Sequence, residues 1–284
     1  MKETILQGGT LGDVRLITDV NGTYVRKVQK QWQHPGDPDS WRREHDLFAA
    51  GFEELFTDEL RPPVCYQTSI EEGKMELKME YVEGVSGAAL TLDMLEAVAE
   101  AWGECQGRLR GASFPPCLSN PAFIEREFAQ WSPDTWEYKA LRAADCDLPL
   151  HLRDMLIDTQ ARSGEIFAQI RVLPLVFCHR DLWIENIIVT KNGIRLIDWD
   201  GAGRGYPCED IASLIADGMP GDPIGMYAER LVPAYRRGLS AHMDLSNAPS
   251  LHVRDMILIK FGYRFFQAGN AEALQAIYEM EETV

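Results

Sequence analysis

Three oxygen-bearing side chains stand in a pattern suited to handling a phosphoryl group. His179-Arg180-Asp181-Leu182-Trp183-Ile184-Glu185-Asn186 is followed, after a short gap, by Ile197-Asp198-Trp199-Asp200. The transition state of phosphoryl transfer is loose and highly charged, so the protein must chiefly hold a divalent cation, the phosphates and an acceptor hydroxyl in line. One carboxylate has to face the hydroxyl, and another, with a neutral oxygen donor, has to hold magnesium. Asp181 suits the first duty, and Asn186 with Asp198 suits the second. Asp198 lies among Leu196, Ile197 and Trp199, where an unpaired carboxylate is costly and a metal relieves the cost. Asp200 either stands behind the metal ligands or caps the turn. His179 reads as a packing and hydrogen-bonding residue.

These residues need elements that bring them together. Leu175–Cys178, Ile187–Thr190 and Ile194–Ile197 read as short strands, and Asn192-Gly193 is a type I′ hairpin signal that folds Asp198 back beside Asn186. Upstream the chain is β-rich. Val14–Val20 and Thr23–Val28 flank Asn21-Gly22, a second hairpin signal, and Val64–Ile70 and Lys74–Val82 flank a Glu71-Glu72-Gly73 turn. Gln33–Ser40 is a loop, and Trp41–Phe52 is a helix that Gly51 ends. Tyr81–Gly87 contains two glycines where a crossing segment needs freedom. Beyond it the pattern is helical: Met94–Leu109, with Leu95, Val98, Ala99, Trp102 and Cys105 on one face, then Phe123–Trp131, Trp136–Ala144, Leu152–Ile170, Cys208–Ala216 and most of Ile224–Met280. The expected fold class is α+β, with a small antiparallel-sheet lobe (1–82) followed by a larger, mainly helical lobe (83–284).

The strings His179–Asn186 and Ile197–Asp200 match H-R-D-L-x-x-x-N of the kinase catalytic loop and a metal-binding I-D-x-D. The chain thereby resembles the aminoglycoside phosphotransferase and choline kinase superfamily, the small-molecule relatives of protein kinases, over about residues 175–216 and less specifically over 5–90. The resemblance implies a bilobal kinase-like fold, with Asp181 and Asn186 catalytic and Asn186 and Asp198 holding magnesium. Asp210, opening the next helix, corresponds to a residue that buttresses the catalytic loop. Gly8-Gly9-Thr10-Leu11-Gly12 resembles the family's phosphate loop, which makes Gly9 and Thr10 nucleotide-binding residues; by itself the cluster is only a turn. Lys27 falls where relatives carry the lysine that binds the α/β phosphates, with Arg26 as the alternative if the register slips by one. Glu44 is its expected partner. Met79–Gly84 looks like the interlobe hinge, where Glu80 and Val82 meet the base through their backbone. ATP is the expected donor, with GTP an alternative. No A-P-E follows Asp198, only a short stretch separates Asp200 from Asp210, and Asp198-Trp199-Asp200 stands where protein kinases have D-F-G. A small hydroxyl-bearing acceptor is therefore favoured over a protein.

Lys+Arg number 28 against Asp+Glu 44, a formal charge of −16. That balance excludes nucleic acid as a partner, because phosphates would be repelled. It leaves either a cationic partner or plain solubility. Asp217, Asp222, Glu229, Asp255, Glu279, Glu281 and Glu282 lie in the distal region with Tyr263, Phe265, Phe266 and Tyr278, a composition suited to an ammonium group. Asp217, Glu279 and Glu282 are the candidate acceptor-binding residues; the alternative is a solvated tail and a core of rings. The expected acceptor is a cationic small molecule such as an aminoglycoside antibiotic, and the alternatives are choline, ethanolamine or a sugar, or a non-catalytic nucleotide-binding relative. The six cysteines show no CxxC spacing and read as buried thiols. The longest apolar run is far too short for a membrane span, and no leader is visible. A cytoplasmic monomer or homodimer, with no membrane partner, is expected.

Overall fold

A computed structural model of the chain describes residues 2–6, 12–20, 22–32, 37–118, 120–217, 223–246 and 250–280. Among these, β1 (Lys2–Ile5), β2 (Gly12–Asp19), β3 (Gly22–Lys30), β5 (Cys65–Glu71) and β6 (Lys74–Glu80) form an antiparallel sheet in the order β1-β2-β3-β6-β5. Glu71 pairs with Lys74 across Glu72 and Gly73. Both of these residues have positive φ (48° and 70°), the backbone that a two-residue type I′ turn requires. Of the Asn21-Gly22 signal, Asn21 lies outside the described residues, while Gly22 opens β3 opposite Asp19. Helix α1 (Ser40–Ala49) covers β5 and β6. It stops before Gly51, whose φ of 67° is left-handed, so the expected end at Phe52 falls in a separate 3₁₀ turn, Phe52–Leu55.

A second sheet has the order β4-β10-β9-β7, built from β4 (Leu60–Arg61), β7 (Val85–Ser86), β9 (Ile187–Thr190) and β10 (Gly193–Leu196). The β9–β10 turn is not the expected Asn192-Gly193. Gly193 pairs with Thr190, so Lys191 and Asn192 form the turn. Asn192 donates its N–H to Thr190 Oγ1 (3.0 Å), and that hydroxyl donates to Gly193 O (2.8 Å). Gly193 is required for another reason. β4 runs parallel beside it, and a Cβ there would lie 2.6 Å from the carbonyl oxygens of Asp58 and Glu59.

The helical lobe is organised by α2 (Leu92–Leu109), packed along α8 (Ile224–Ser240). Thr91 caps α2 by accepting the Met94 N–H (3.3 Å), and the expected apolar face (Leu95, Val98, Ala99, Trp102, Cys105) is buried. The two backbones approach closely at Gly103 and Gly238, where a Cβ would fall 2.2 Å from Tyr235 O and 2.0 Å from Glu100 O. Helices α3 (Phe123–Ala129) and α4 (Trp136–Leu141) are shorter than expected. The single helix expected over Leu152–Ile170 is two, α5 (Leu150–Ala161) and α6 (Ser163–Ile170), broken at Arg162. β8 (Val176–Cys178) pairs with β11 (Gly203–Gly205), a strand too glycine-rich for alternation to reveal. Helix α7 spans Cys208–Ala216 as expected, and α9 (Val253–Ile257), a π-helical turn (Leu258–Gly262), α10 (Tyr263–Gln267) and α11 (Ala271–Glu279) complete the lobe.

Trp199 is fully buried among Phe52, Phe56, Trp102 and Phe177, with ring centroids 5.4–6.2 Å away. Its indole N–H donates to Leu196 O (2.8 Å). The bulky residue in the D-W-D string is thus a core anchor for the loop that carries Asp198. All six cysteines are free, three buried and three half-buried. Among the described residues, no helix is long and apolar enough to cross a membrane.

Candidate active site

The loop after β8 is held by one buried carboxylate. Asp210, at the start of α7, accepts the backbone N–H of Arg180 on Oδ1 (2.7 Å). Its Oδ2 accepts the His179 N–H (2.8 Å), the Trp102 indole N–H (3.0 Å) and the Gln106 amide (3.1 Å). Arg180 has φ 69°, a left-handed backbone that costs a non-glycine residue about 1–2 kcal/mol and persists only where surroundings enforce it. The Arg180 side chain helps to do so. It pairs with Glu209 (3.0 Å) and donates to Arg204 O (2.8 Å) and Asn120 O (3.1 Å). His179 is buried, donates Nε2–H to Ile197 O (3.0 Å) and lies 4.4 Å from the Trp199 ring. Burial lowers its pKa, which leaves a neutral packing residue.

Asp181 therefore projects from a braced backbone. Asn186 donates Nδ2 to Asp181 Oδ2 (2.7 Å) and Asp181 O (2.9 Å). Both partners are acceptors, so the amide orientation is fixed, and Oδ1 carries no donor among the described residues. Asn186 O accepts the Ile197 N–H (3.0 Å), the contact by which the β9–β10 hairpin returns Asp198 to Asn186. Asp181 has its pKa raised by burial and by the Asp198 charge, against the Asn186 hydrogen bond and the Lys260 and Arg264 charges, which lower it.

Across the cleft, Lys27 resolves the register. Its ammonium meets Glu44 Oε2 (2.5 Å) and Asp198 Oδ1 (2.6 Å). Arg26 points to the opposite face of the sheet and pairs with Glu76 (2.6 Å). Glu44 is buried on α1 and also accepts the Trp199 N–H through Oε1 (3.1 Å). Its neighbour Arg43, unremarked in the sequence, is buried too. Arg43 grips Asp37 with two bonds (2.5 and 2.7 Å) and donates to Asp200 O (2.5 Å) and Cys117 O (2.9 Å). Two consecutive residues of one helix thus tie the Asp198–Asp200 turn to the sheet lobe. Burial works against the Asp198 charge, but the adjacent Lys27 ammonium outweighs it and holds this carboxyl below its ordinary range. Asp200, without such a partner, is pushed up to about 8 by burial and by the Asp198 charge. Among the described residues no group of three or more His, Cys, Asp or Glu side chains forms a ready metal cage. Magnesium characteristically takes one or two protein oxygens and fills its remaining positions with phosphate and water.

The hinge residues follow on from the end of β6. Glu80 ends β6, gives its N–H to Val64 O (2.8 Å), and engages Arg61 (3.1 Å) and the Val64 N–H (3.0 Å) with its carboxylate. Val82 lies beyond the strand, and its backbone N–H and C=O have no partner among the described residues. Gly9 and Thr10 lie outside the described residues.

Of the acceptor candidates among the described residues, Asp217 is the one that the Asp181 charge reaches. It follows the last turn of α7, and its pKa is raised by burial; the charges of Arg264, Lys260 and Asp181 all reach it. Glu279 sits on α11 and accepts from Gln275 (2.7 Å), which in turn bonds His151 of α5. That places it on the α5–α11 face, away from the loop. Glu282, like Asp222 and Glu281, lies outside the described residues. Glu229 is exposed on α8, and Asp255 is engaged with His252 (3.3 Å). Tyr263 is buried and stacks on Trp131 (4.8 Å), while Tyr278 is half exposed against His151. Sequence reasoning passed over the two cations of this region, Lys260 and Arg264.

The model of the phosphotransferase enzyme family matches residues 3–245. A search of curated proteins returns no match. Among solved structures the chain is similar to choline kinase from Cryptosporidium parvum Iowa II (TM-score 0.60, 14% identity, 98% of this chain and 87% of that one). It is also similar to a choline/ethanolamine kinase family protein from Mesorhizobium loti (0.60, 17%, 100% and 90%). A third is a thermostable mutant of aminoglycoside phosphotransferase APH(4)-Ia in ternary complex with AMP-PNP and hygromycin B (0.56, 15%, 98% and 92%). At such identities the structures establish the shared bilobal kinase-like fold, and the family match rests on the sequence itself: the chain belongs to the phosphotransferase enzyme family.

Proposed function

We propose that this protein is a magnesium-dependent kinase that moves the γ-phosphate of ATP to a hydroxyl of a small molecule. One observation carries the reading: Lys27 of the sheet lobe touches Asp198, while Asn186 of the same hairpin orients Asp181. Asp181 aligns the acceptor hydroxyl and takes its proton as the new P–O bond forms, while the bond from the γ-phosphorus to the bridging oxygen breaks and ADP leaves. Its raised pKa makes it a better proton acceptor than an exposed aspartate. Lys27, held by Glu44, exchanges Asp198 for the donor phosphates. Val82, and the carbonyl of Glu80, meet the edge of the base, and Gly9 and Thr10 cover the phosphates. The boundary between nucleotide-binding and catalytic lobes falls at residues 82–83.

The donor set suits magnesium. Asp198 and Asn186 Oδ1 are hard oxygens, and the Asp200 carboxyl held up to about 8 marks a surplus of negative charge that a divalent cation relieves. Bound there, the ion neutralises charge on the donor phosphates. Asp200 stands behind these ligands.

The acceptor is small. Proteins of similar fold include choline kinase and a phosphotransferase crystallised with hygromycin B, which supports an acceptor with an ammonium group. Asp217 is the carboxylate placed to meet it; Glu279 is not. Intact Asp181, Asn186 and Asp198 favour an enzyme over a non-catalytic nucleotide-binding relative, and its triphosphate donor places it in the cytoplasm. ADP release from Mg-ATP across a panel of amino alcohols, aminoglycosides and sugars tests the reading. Asp181→Ala is expected to bind nucleotide normally and lose transfer by about 10²-fold or more; undiminished turnover refutes it. Antibiotic modification in particular requires that expression protect a sensitive host and that Asp181→Ala abolish the protection.

A further inference from the structure

The large lobe presents two cations beside the catalytic loop that phosphoryl transfer leaves unused. Lys260 lies in the π-helical turn Leu258–Gly262, a wide form of helix that is rare and recurs at functional sites. The turn packs tightly on α5: a Cβ on Gly262 would fall 2.8 Å from Leu156 Cδ2. The Lys260 ammonium is held by Ser213 Oγ, Glu209 O (3.3 Å) and Arg180 O (3.5 Å). All three acceptors are uncharged; the carboxylates that feel its charge, Asp181, Asp210 and Asp217, stand beyond ion-pair distance. One turn on, Arg264 is exposed, its guanidinium 5.4 Å from the Phe261 ring centroid. Among the described residues neither cation has a carboxylate within ion-pair distance.

Both line a cavity of about 260 Å³ with Trp131, Phe123, Glu127 and Glu209, the last of which is paired with Arg180. Arg180 is also in its wall, and the Arg180 carbonyl that Lys260 touches belongs to the peptide leading into Asp181. Asp181 does not itself line the cavity, but the charges of both cations reach its carboxyl. Two like charges on one small cavity repel, and an anion between them removes the repulsion; a guanidinium fork beside an ammonium is a matched seat for a carboxylate or phosphate.

We propose that this cavity seats an acid group of the acceptor, so that the substrate is a small hydroxyl compound bearing a carboxylate or phosphate. The inference rests on the phosphotransfer reading and specifies its substrate class. It admits an ammonium beside Asp217 on the same molecule, as in a hydroxy amino acid, but not an acceptor whose only charge is positive.

Charge-matched acceptor pairs test this with the full chain and Mg-ATP: serine against ethanolamine, homoserine against 3-aminopropanol, and glycerate or glycerol 3-phosphate against glycerol. ADP release gives kcat/KM, and calorimetric titration in the presence of Mg-AMP-PNP gives binding where turnover is slow. The expected result is that the acid member of at least one pair binds and is used about tenfold or more better than its partner. Arg264→Gln then raises KM for that acceptor about tenfold, with kcat and Mg-ATP affinity retained, and Arg264→Lys restores part of the loss. The glycerate and glycerol 3-phosphate arms separate carboxylate from phosphate. The inference is overturned if uncharged or purely cationic members are preferred, if Arg264→Gln leaves the KM of the acid member unchanged, or if nucleotide binds and no acid member does. Each of these leaves the phosphotransfer reading standing. Failure to bind Mg-ATP at all removes that reading, and this inference with it.

Discussion

Asp210→Asn is a near-isosteric change whose cost can be worked out from four hydrogen bonds. The carboxylate receives one N–H on Oδ1 and three on Oδ2. The best placement of an amide puts its oxygen where three donors converge and its NH₂ against the Arg180 N–H. One buried charge-assisted bond, worth roughly 1.5–3 kcal/mol, is lost and becomes a donor–donor contact. The other three persist as neutral bonds at about half their strength. Part of this is returned, because burial already raises the pKa of Asp210 and the amide carries no charge to desolvate. The balance is about 2–4 kcal/mol of destabilisation, or roughly 5–10 °C in Tm. The functional loss should exceed the loss of stability, because the bond removed holds Arg180 in its left-handed conformation and thereby aims Asp181. Thermal unfolding followed by tryptophan fluorescence, with Mg-ATP titration and acceptor-dependent ADP release, measures all three effects. A variant with Tm within 1 °C of the parent and unimpaired transfer would show that Asp210 does not brace the loop.

Three other outcomes are expected. Asp198→Ala should weaken Mg-nucleotide binding by about tenfold or more; unchanged affinity by titration would contradict its role as a metal ligand. In nucleotide-free protein, Asp200 binds its proton more tightly folded (about 8) than unfolded (3.8), so its contribution to stability is full below about pH 4 and is lost as pH rises through 8. Asp200→Asn should therefore flatten the decline in stability between pH 6 and 8.5, a slope of at most ~1.4 kcal/mol per pH unit for one proton, and parallel denaturation curves for the two proteins would refute this. Gly238→Ala should destabilise by roughly 1–3 kcal/mol, because its Cβ has only backbone to meet across the α2–α8 contact; a Tm unchanged by calorimetry would refute that close contact.

The parts of this molecule that were legible in its sequence are those set by local spacing. Alternation put Lys27 and Arg26 on opposite faces of their strand without saying which faced inward, and helix periodicity gave the buried face of α2. The loop from His179 to Asn186 reads directly because its residues act on one another within eight positions. Contacts made at long range were not legible. Arg43 grips Asp200 O across 157 positions, and a buried arginine next to a glutamate looks like any charged helix pair. Lys260, which reaches the Arg180 carbonyl of the catalytic loop, lies in a π turn that leaves no mark in the apolar pattern. The Asn192-Gly193 reading identified the right hairpin for the wrong reason: the glycine is there because another strand passes too close for a side chain. The acidic character of the distal region does not by itself say which carboxylates face a cleft: among the described ones Asp217 feels the Asp181 charge and Glu279 lies on α11 against Gln275.

That passing strand constrains how the lobes can move. β4 follows α1 and precedes β5, so it belongs in sequence to the small lobe, yet it pairs with β10 of the large one: Ile194 donates to Glu59 O (2.7 Å) and Arg195 to Asp58 O (3.0 Å). Arg61, beside it, is bonded to Glu80 at the hinge. The lobes are therefore joined by this β4–β10 seam as well as by the hinge, in addition to the ties that α1 makes to the Asp198–Asp200 turn. A clamshell opening about Tyr81–Gly84 would shear the parallel pair apart, whereas a twist about an axis through both seams would not. The paired seams are thus compatible with a torsion of small amplitude between the lobes and not with a wide gape.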